Sequence, residues 1–124
     1  WEFEESGFHL ILGPEIPDLI RANLGKDVDA FLSAHGLERR DVGEWIVHTG
    51  GPKVFAAIEE SLELPPDALD ATRATLQRVG NVSSASVLLV LGEAMARRKP
   101  SPGTWGLMLA VGPGFCLEMV LLRW

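Results

Sequence analysis

Two stretches of the 124-residue sequence carry residue types that can do chemistry: Trp45-Ile46-Val47-His48-Thr49-Gly50-Gly51-Pro52-Lys53 and Gly80-Asn81-Val82-Ser83-Ser84-Ala85-Ser86. The first reads as a short apolar strand that ends on a histidine, turns on two glycines and enters a helix at Pro52, where the missing N–H of proline costs nothing. Open α/β sheets place their chemistry at strand ends, because the strand fixes the roots of the loops there. His48 is therefore a candidate for a rigidly held imidazole, with room beside it left by Gly50 and Gly51. A turn histidine with a purely structural job is the plainer alternative. In the second stretch Asn81 stands at a loop-to-helix junction, where an N-cap is the plainer role. Capping does not explain the small residues Ser83, Ser84 and Ala85, which let a ligand or another backbone come close. His48 and Asn81 together offer two neutral donors at element junctions. That is the equipment of an oxyanion hole, in which fixed donors meet negative charge that appears on oxygen only during reaction.

The elements that must hold these residues follow from hydrophobic spacing. Phe8 to Leu12 reads as a strand closed by Gly13-Pro14, and Ile16, Leu19, Ile20, Leu24, Val28, Phe31 and Leu32 follow helical spacing up to His35-Gly36. Gly25 is a point where that segment could bend or divide. Trp45 to Val47 is the next strand, and Val54, Phe55, Ile58 and Leu62 mark one face of the helix after it. Pro66 can open a further helix with a stripe of Leu69, Thr72, Leu76 and Val79. Ser83 to Arg98 reads as a helix with the unbroken apolar run Val87 to Leu91, which demands cover on all sides. Trp105 to Val111 and Phe115 to Trp124 read as two strands joined by Gly112-Pro113-Gly114. The order predicts one α/β domain over residues 1–124, a mixed sheet with helices on both faces.

Composition narrows the function classes. A net charge of -6 argues against nucleic-acid binding, which needs a basic face. The longest apolar run is far short of a membrane span, and no signal peptide is visible. One cysteine, Cys116, excludes an internal disulfide framework and fits a reducing compartment such as the cytoplasm. The chain opens at Trp1 without a Met, as a piece of something longer or a processed chain would.

Taken in order, His48-Thr49-Gly50-Gly51-Pro52-Lys53, Gly80-Asn81-Val82-Ser83-Ser84-Ala85 and Gly112-Pro113-Gly114 resemble the C-terminal half of the chalcone synthase-like enzymes, the type III polyketide synthases; Phe8-His9-Leu10 and Ala71-Thr72-Arg73 fit the same pattern. The likeness covers essentially the whole chain. The wider thiolase-like superfamily shares a histidine and a Gly-Asn pair, and Gly-Gly-Pro after the histidine favours the chalcone synthase-like branch. The resemblance implies the C-terminal half of a thiolase-like fold, whose matching N-terminal half carries a nucleophilic cysteine as an acyl thioester. It implies that His48 and Asn81 bind the thioester carbonyl of malonyl-CoA and stabilise the enolate formed on decarboxylation, each donor worth roughly 3–4 kcal/mol in comparable holes. It implies acyl-CoA and malonyl-CoA as substrates, no further cofactor or metal, a homodimer, and no nucleic-acid or membrane partner.

Phe8, Gly50, Gly51, Ser83 and Pro113 match positions lining the family's reaction cavity; for Phe8 and Pro113 plain core and turn roles stand beside that reading. Lys53 is a candidate for the substrate entrance or a solvated lysine at a helix start. Thr49 stands where the family usually has proline and Val82 where methionine is frequent, and neither change removes a donor. The nucleophilic cysteine is missing: Cys116 is not at that position, and the expectation for it is a buried structural thiol. The chain alone is therefore expected to be inactive. Half of a related ketoacyl synthase, or a free-standing binding or scaffold domain without catalysis, are the alternatives.

Overall fold

The computed structural model describes residues 15–112 and 116–124 in full, and the backbone of 2–4 and 7–9. Two short strands, β1 (Glu2–Glu4) and β2 (Gly7–His9), pair antiparallel as a separate ribbon. Helix α1 (Ile16–Ala34) leads through a 3₁₀ turn (Arg39–Asp41) into β3 (Val42–Val47). Helices α2 (Pro52–Leu62), α3 (Asp70–Val79) and α4 (Ala85–Glu93) follow, the last running on into a π-helical turn (Ala94–Arg98). Strands β4 (Trp105–Gly112) and β5 (Cys116–Arg123) close the chain. The main sheet has the order β3-β4-β5, with β3 parallel to β4 and β4 antiparallel to β5, so the expected mixed sheet is present.

Alternation along the strands sends side chains to two layers. On one face Trp45, Val47, Leu107 and Leu109 join Ile20, Leu24, Val28 and Leu32 of α1 and Phe55, Ile58 and Leu62 of α2. On the other face Ile46 clusters with Ala71 of α3, Val90 of α4 and Ala94, with Met108, Leu122 and Trp124 packed against them. Helices therefore cover both faces, as the pattern of elements requires.

Several expectations are corrected. Gly25 neither bends nor divides α1, which is one helix from Ile16 to Ala34. A Cβ there would lie 2.9 Å from the Arg39 guanidinium and 3.2 Å from the Ser61 carbonyl, so the close approach of α2 and Arg39 favours glycine, and no break does. Pro66 opens a turn, and α3 begins only at Asp70. Cys116 is exposed rather than buried. Its face of β5, shared with Glu118 and Val120, points away from the α1–α2 layer that takes Leu117, Met119 and Leu121, and α4 reaches only as far as Leu122 and Trp124. The strand expected over Phe8 to Leu12 is described only to His9; its remainder and the Pro113-Gly114 turn lie outside the described residues.

The apolar run of α4 divides. Val90 is fully buried and Val87 and Leu91 pack on the second cluster, but Leu88 is 60% exposed, Met95 57% and Leu89 38%. No helix among the described residues is long and apolar enough to cross a membrane. At about 25 cal/mol per Å² of apolar surface removed from water, covering this stripe favours association. The isolated chain is thus expected to self-associate through α4, and Leu88→Glu to weaken that association. Light scattering at tens of micromolar tests it; a monodisperse monomer of the unmodified chain would show that the stripe is harmless in water.

Candidate active site

His48 is the first residue past β3, and the ladder holds it: its backbone N–H donates to the Leu109 carbonyl at 3.0 Å. The chain then folds tightly, Gly50 N–H donating to the His48 carbonyl at 2.8 Å. Gly51 has φ +104 with nothing within 4 Å of a Cβ built there, so backbone conformation rather than crowding demands glycine. At Gly50 the reason is contact, since an added Cβ would meet Val54 Cγ1 at 2.8 Å. Pro52 opens α2 as its first residue, and Lys53 beside it is exposed. Thr49 is fully buried, and its hydroxyl finds no hydrogen-bond partner among the described residues.

The His48 imidazole is half-buried and makes no hydrogen bond among the described residues. Burial lowers its pKa, because desolvation penalises the charged ring. The ring is therefore neutral at physiological pH, one nitrogen carrying a proton to donate. A histidine whose job is to bind the turn together would be expected to show such a bond. In this chain, NMR titration of the His48 ring is expected to give a midpoint below the usual value of about 6.5; a midpoint above it would mean that a negative group governs the ring.

Asn81 is not the cap of α4. The helix starts at Ala85, and Ser84 holds the cap position. Asn81 Oδ1 instead accepts from the Ser83 N–H at 2.9 Å and from the Ser86 hydroxyl at 3.3 Å. Ser83 takes φ +60, uncommon for a residue with a side chain. A backbone N–H can only donate, so the atom it faces must be the carboxamide oxygen. The orientation of Asn81 is thereby decided, with its NH₂ turned away from both partners.

Helix directions place the two stretches on one edge of the sheet. Thr72, fully buried near the start of α3, donates to the Val47 carbonyl at 3.2 Å. Asp67, just before α3, accepts at its carbonyl from Arg98, and Arg98 Nε also bonds Glu44 Oε1 at 3.0 Å near the start of β3. So α3 runs in the direction of β3, and the loop after it emerges beyond the end of that strand. Helix α4 runs back, from this loop past the Ile46 cluster at Val90 to Arg98 and Glu44. Asn81 and Ser83 thus share the edge where His48 leaves the sheet. Strand β4, parallel to β3, ends on that edge too at Gly112; Pro113 lies outside the described residues, as does the Phe8 side chain. No hydrogen bond joins His48 to Asn81 among the described residues, and Asn81 is exposed. Two surface clefts of about 280 and 240 Å³ lie elsewhere, around Arg39–Arg40 and Arg97–Arg98. No cluster able to hold a metal occurs among the described residues.

The family model for chalcone and stilbene synthases, C-terminal domain, matches residues 1–124. The chain belongs to this family. A 1,3,6,8-tetrahydroxynaphthalene synthase from Streptomyces peucetius subsp. caesius is 54% identical to this C-terminal domain over its whole length, which spans 33% of that enzyme. A 3,5-dihydroxyphenylacetyl-CoA synthase from Amycolatopsis orientalis is 36% identical, again over all of this chain and 34% of that one. Among solved structures, the domain superposes on the 1,3,6,8-tetrahydroxynaphthalene synthase of Streptomyces coelicolor A3(2), a bacterial type III polyketide synthase, with a TM-score of 0.89 and 32% identity, covering 99% of this chain and 35% of that one. PKS-I from the brown alga Ectocarpus siliculosus gives a TM-score of 0.90 at 30% identity, over 98% of this chain and 34% of that one. The domain therefore spans about a third of the length of its relatives, and its fold is that of the corresponding part of type III polyketide synthases.

Sequence reasoning gave no positioning role to the buried hydroxyls of Thr72 and Ser86. The available signal was a polar residue at a buried position of each helix, Thr72 in the stripe of α3 and Ser86 in the first turn of apolar α4.

Proposed function

We propose that this domain works within a complete type III polyketide synthase, with His48 and Asn81 as the donors for decarboxylative condensation of malonyl-CoA onto a cysteine-bound acyl chain. The observation that carries the reading is the Asn81 carboxamide: its oxygen is consumed inside the loop, so only the NH₂ remains to meet a ligand. A neutral His48 ring on the same sheet edge is the matching second donor. When the malonyl carboxylate leaves as CO₂, the electron pair of the broken C–C bond moves onto the thioester carbonyl as an enolate. Donors preorganised at that oxygen lower the barrier, because the charge is far smaller before the bond breaks. The enolate carbon then attacks the acyl thioester, the new C–C bond forms, and the cysteine thiolate leaves. That cysteine comes from the part of the synthase outside this domain, so the domain alone is catalytically silent. Gly50, Gly51, Lys53, Ser83, Phe8 and Pro113 are assigned to the substrate side of the site. The 54% identity to a 1,3,6,8-tetrahydroxynaphthalene synthase makes that reaction the first to assay.

In the complete synthase, Asn81→Ala is expected to slow malonyl-CoA decarboxylation about a hundredfold or more, the scale of losing one such donor, while acylation of the cysteine changes less. Decarboxylation at the unmodified rate would reject the assignment. Turnover of acyl-carrier thioesters in preference to CoA thioesters would instead move the domain to the ketoacyl synthases.

Cys116 is expected to be dispensable. It is exposed, and its thiol donates to the Glu118 carboxylate at 3.6 Å, the opposite of the cationic setting a nucleophilic thiolate needs. Cys116→Ser should retain full turnover; transfer of an acyl group from acyl-CoA to Cys116 in the unmodified enzyme, with activity lost in the variant, would show that it is the nucleophile.

A further inference from the structure

Ser86 is fully buried in the first turn of α4, five residues from Asn81. Its hydroxyl has one proton to give and lone pairs to receive with, and both capacities are used within the preceding loop. Ser86 Oγ accepts the Val82 N–H at 2.9 Å and donates to Asn81 Oδ1 at 3.3 Å. The only other bond to Asn81 Oδ1 comes, among the described residues, from the Ser83 N–H, on a residue held at φ +60. Asn81 itself is exposed, so packing does not hold its carboxamide. The Ser83 bond decides that the oxygen faces the loop, but an exposed carboxamide with a single local bond still swings about χ2; a second bond from a buried, helix-borne hydroxyl narrows that swing.

We infer that Ser86 is the positioning residue for Asn81, linking the Val82 backbone to the Asn81 carboxamide so that the NH₂ presents one fixed direction to the reacting oxygen. This rests on the reading of Asn81 as a donor. The hydroxyl need not touch substrate. It acts through Asn81, and a donor displaced by about 1 Å loses much of its effect on rate.

The test is a double-mutant cycle in the complete synthase, following malonyl-CoA decarboxylation by Ser86→Ala, Asn81→Ala and the double variant, with melting temperatures alongside. Ser86→Ala is expected to lower kcat roughly ten- to a hundredfold with KM for malonyl-CoA and cysteine acylation little changed. Adding it to Asn81→Ala should cost nothing further, because the group it positions is gone. A simple loss of fold would lower the melting temperature and all steps together, and would multiply with Asn81→Ala; that outcome overturns the inference. So does an unimpaired Ser86→Ala enzyme beside an impaired Asn81→Ala one, which leaves Asn81 as a donor that needs no help. Full decarboxylation in Asn81→Ala removes the donor reading itself, and the positioning role with it.

Discussion

The parallel pairing of β3 with β4 is the constraint on which the rest of the domain depends. Antiparallel neighbours can be joined by a tight turn, but parallel ones need a crossover that returns the chain to the starting edge. Here the crossover runs from His48 to Thr104 and contains three helices. Parallel strands also end on the same edge. His48 at the end of β3, the α3–α4 loop and Gly112 at the end of β4 are therefore delivered to one side of the sheet by topology. The His48–Leu109 backbone bond carries the ladder one residue past the strand, so the imidazole is rooted in the sheet and not in a free loop. Side chains that must keep one fixed direction are best built on such roots.

Much of this was legible because it is local. A strand closing on His-Thr-Gly-Gly-Pro, the four-residue spacing of Ile20, Leu24, Val28 and Leu32, and the stop at Gly36 each follow from a periodicity or a backbone preference carried by adjacent residues. What was not legible depends on residues far apart in the chain. Gly25 reads as a hinge when only its own helix is considered, and becomes a contact once Arg39 and Ser61 arrive. The unbroken apolar run at the end of β5 suggests cover on both faces, but whether Cys116 is covered depends on how far α4 extends over the sheet. Residue type and junction position pointed to His48 and Asn81 as a pair, and the likeness to a known family pointed the same way; the bond pattern that orients Asn81 could not be read from spacing, since an N-cap and the observed Ser83–Asn81 turn use the same residue types.

Helix α4 poses a separate problem of register. Its packing on the sheet is narrow, with Val90 and Ala94 buried and Leu88, Leu89 and Met95 turned outward. Apolar contact of that kind is non-directional and would tolerate a slide along the helix axis. Charge supplies the direction. Arg98 Nε donates to Oε1 of the nearly buried Glu44 at 3.0 Å and lies 2.9 Å from Oε2, and Glu93, also nearly buried, pairs with Arg97 at 2.6 Å and Arg78 at 3.5 Å. The Glu44 bond holds the Arg98 guanidinium even more firmly in its charged form. Such pairs add little net stability over an apolar replacement, but separating one leaves a buried carboxylate uncompensated, at a cost of several kcal/mol. A shift of α4 by one turn, about 5.4 Å, would break the Arg98–Glu44 and Arg78–Glu93 pairs at once, whereas the Arg97–Glu93 pair lies within the helix and moves with it. The far end of α4 is therefore pinned by ion pairs, and the same rigid rod fixes where its first turn lies. Ser86 is in that turn, so the charges around Arg98 help set the position of Asn81 on the opposite edge of the sheet.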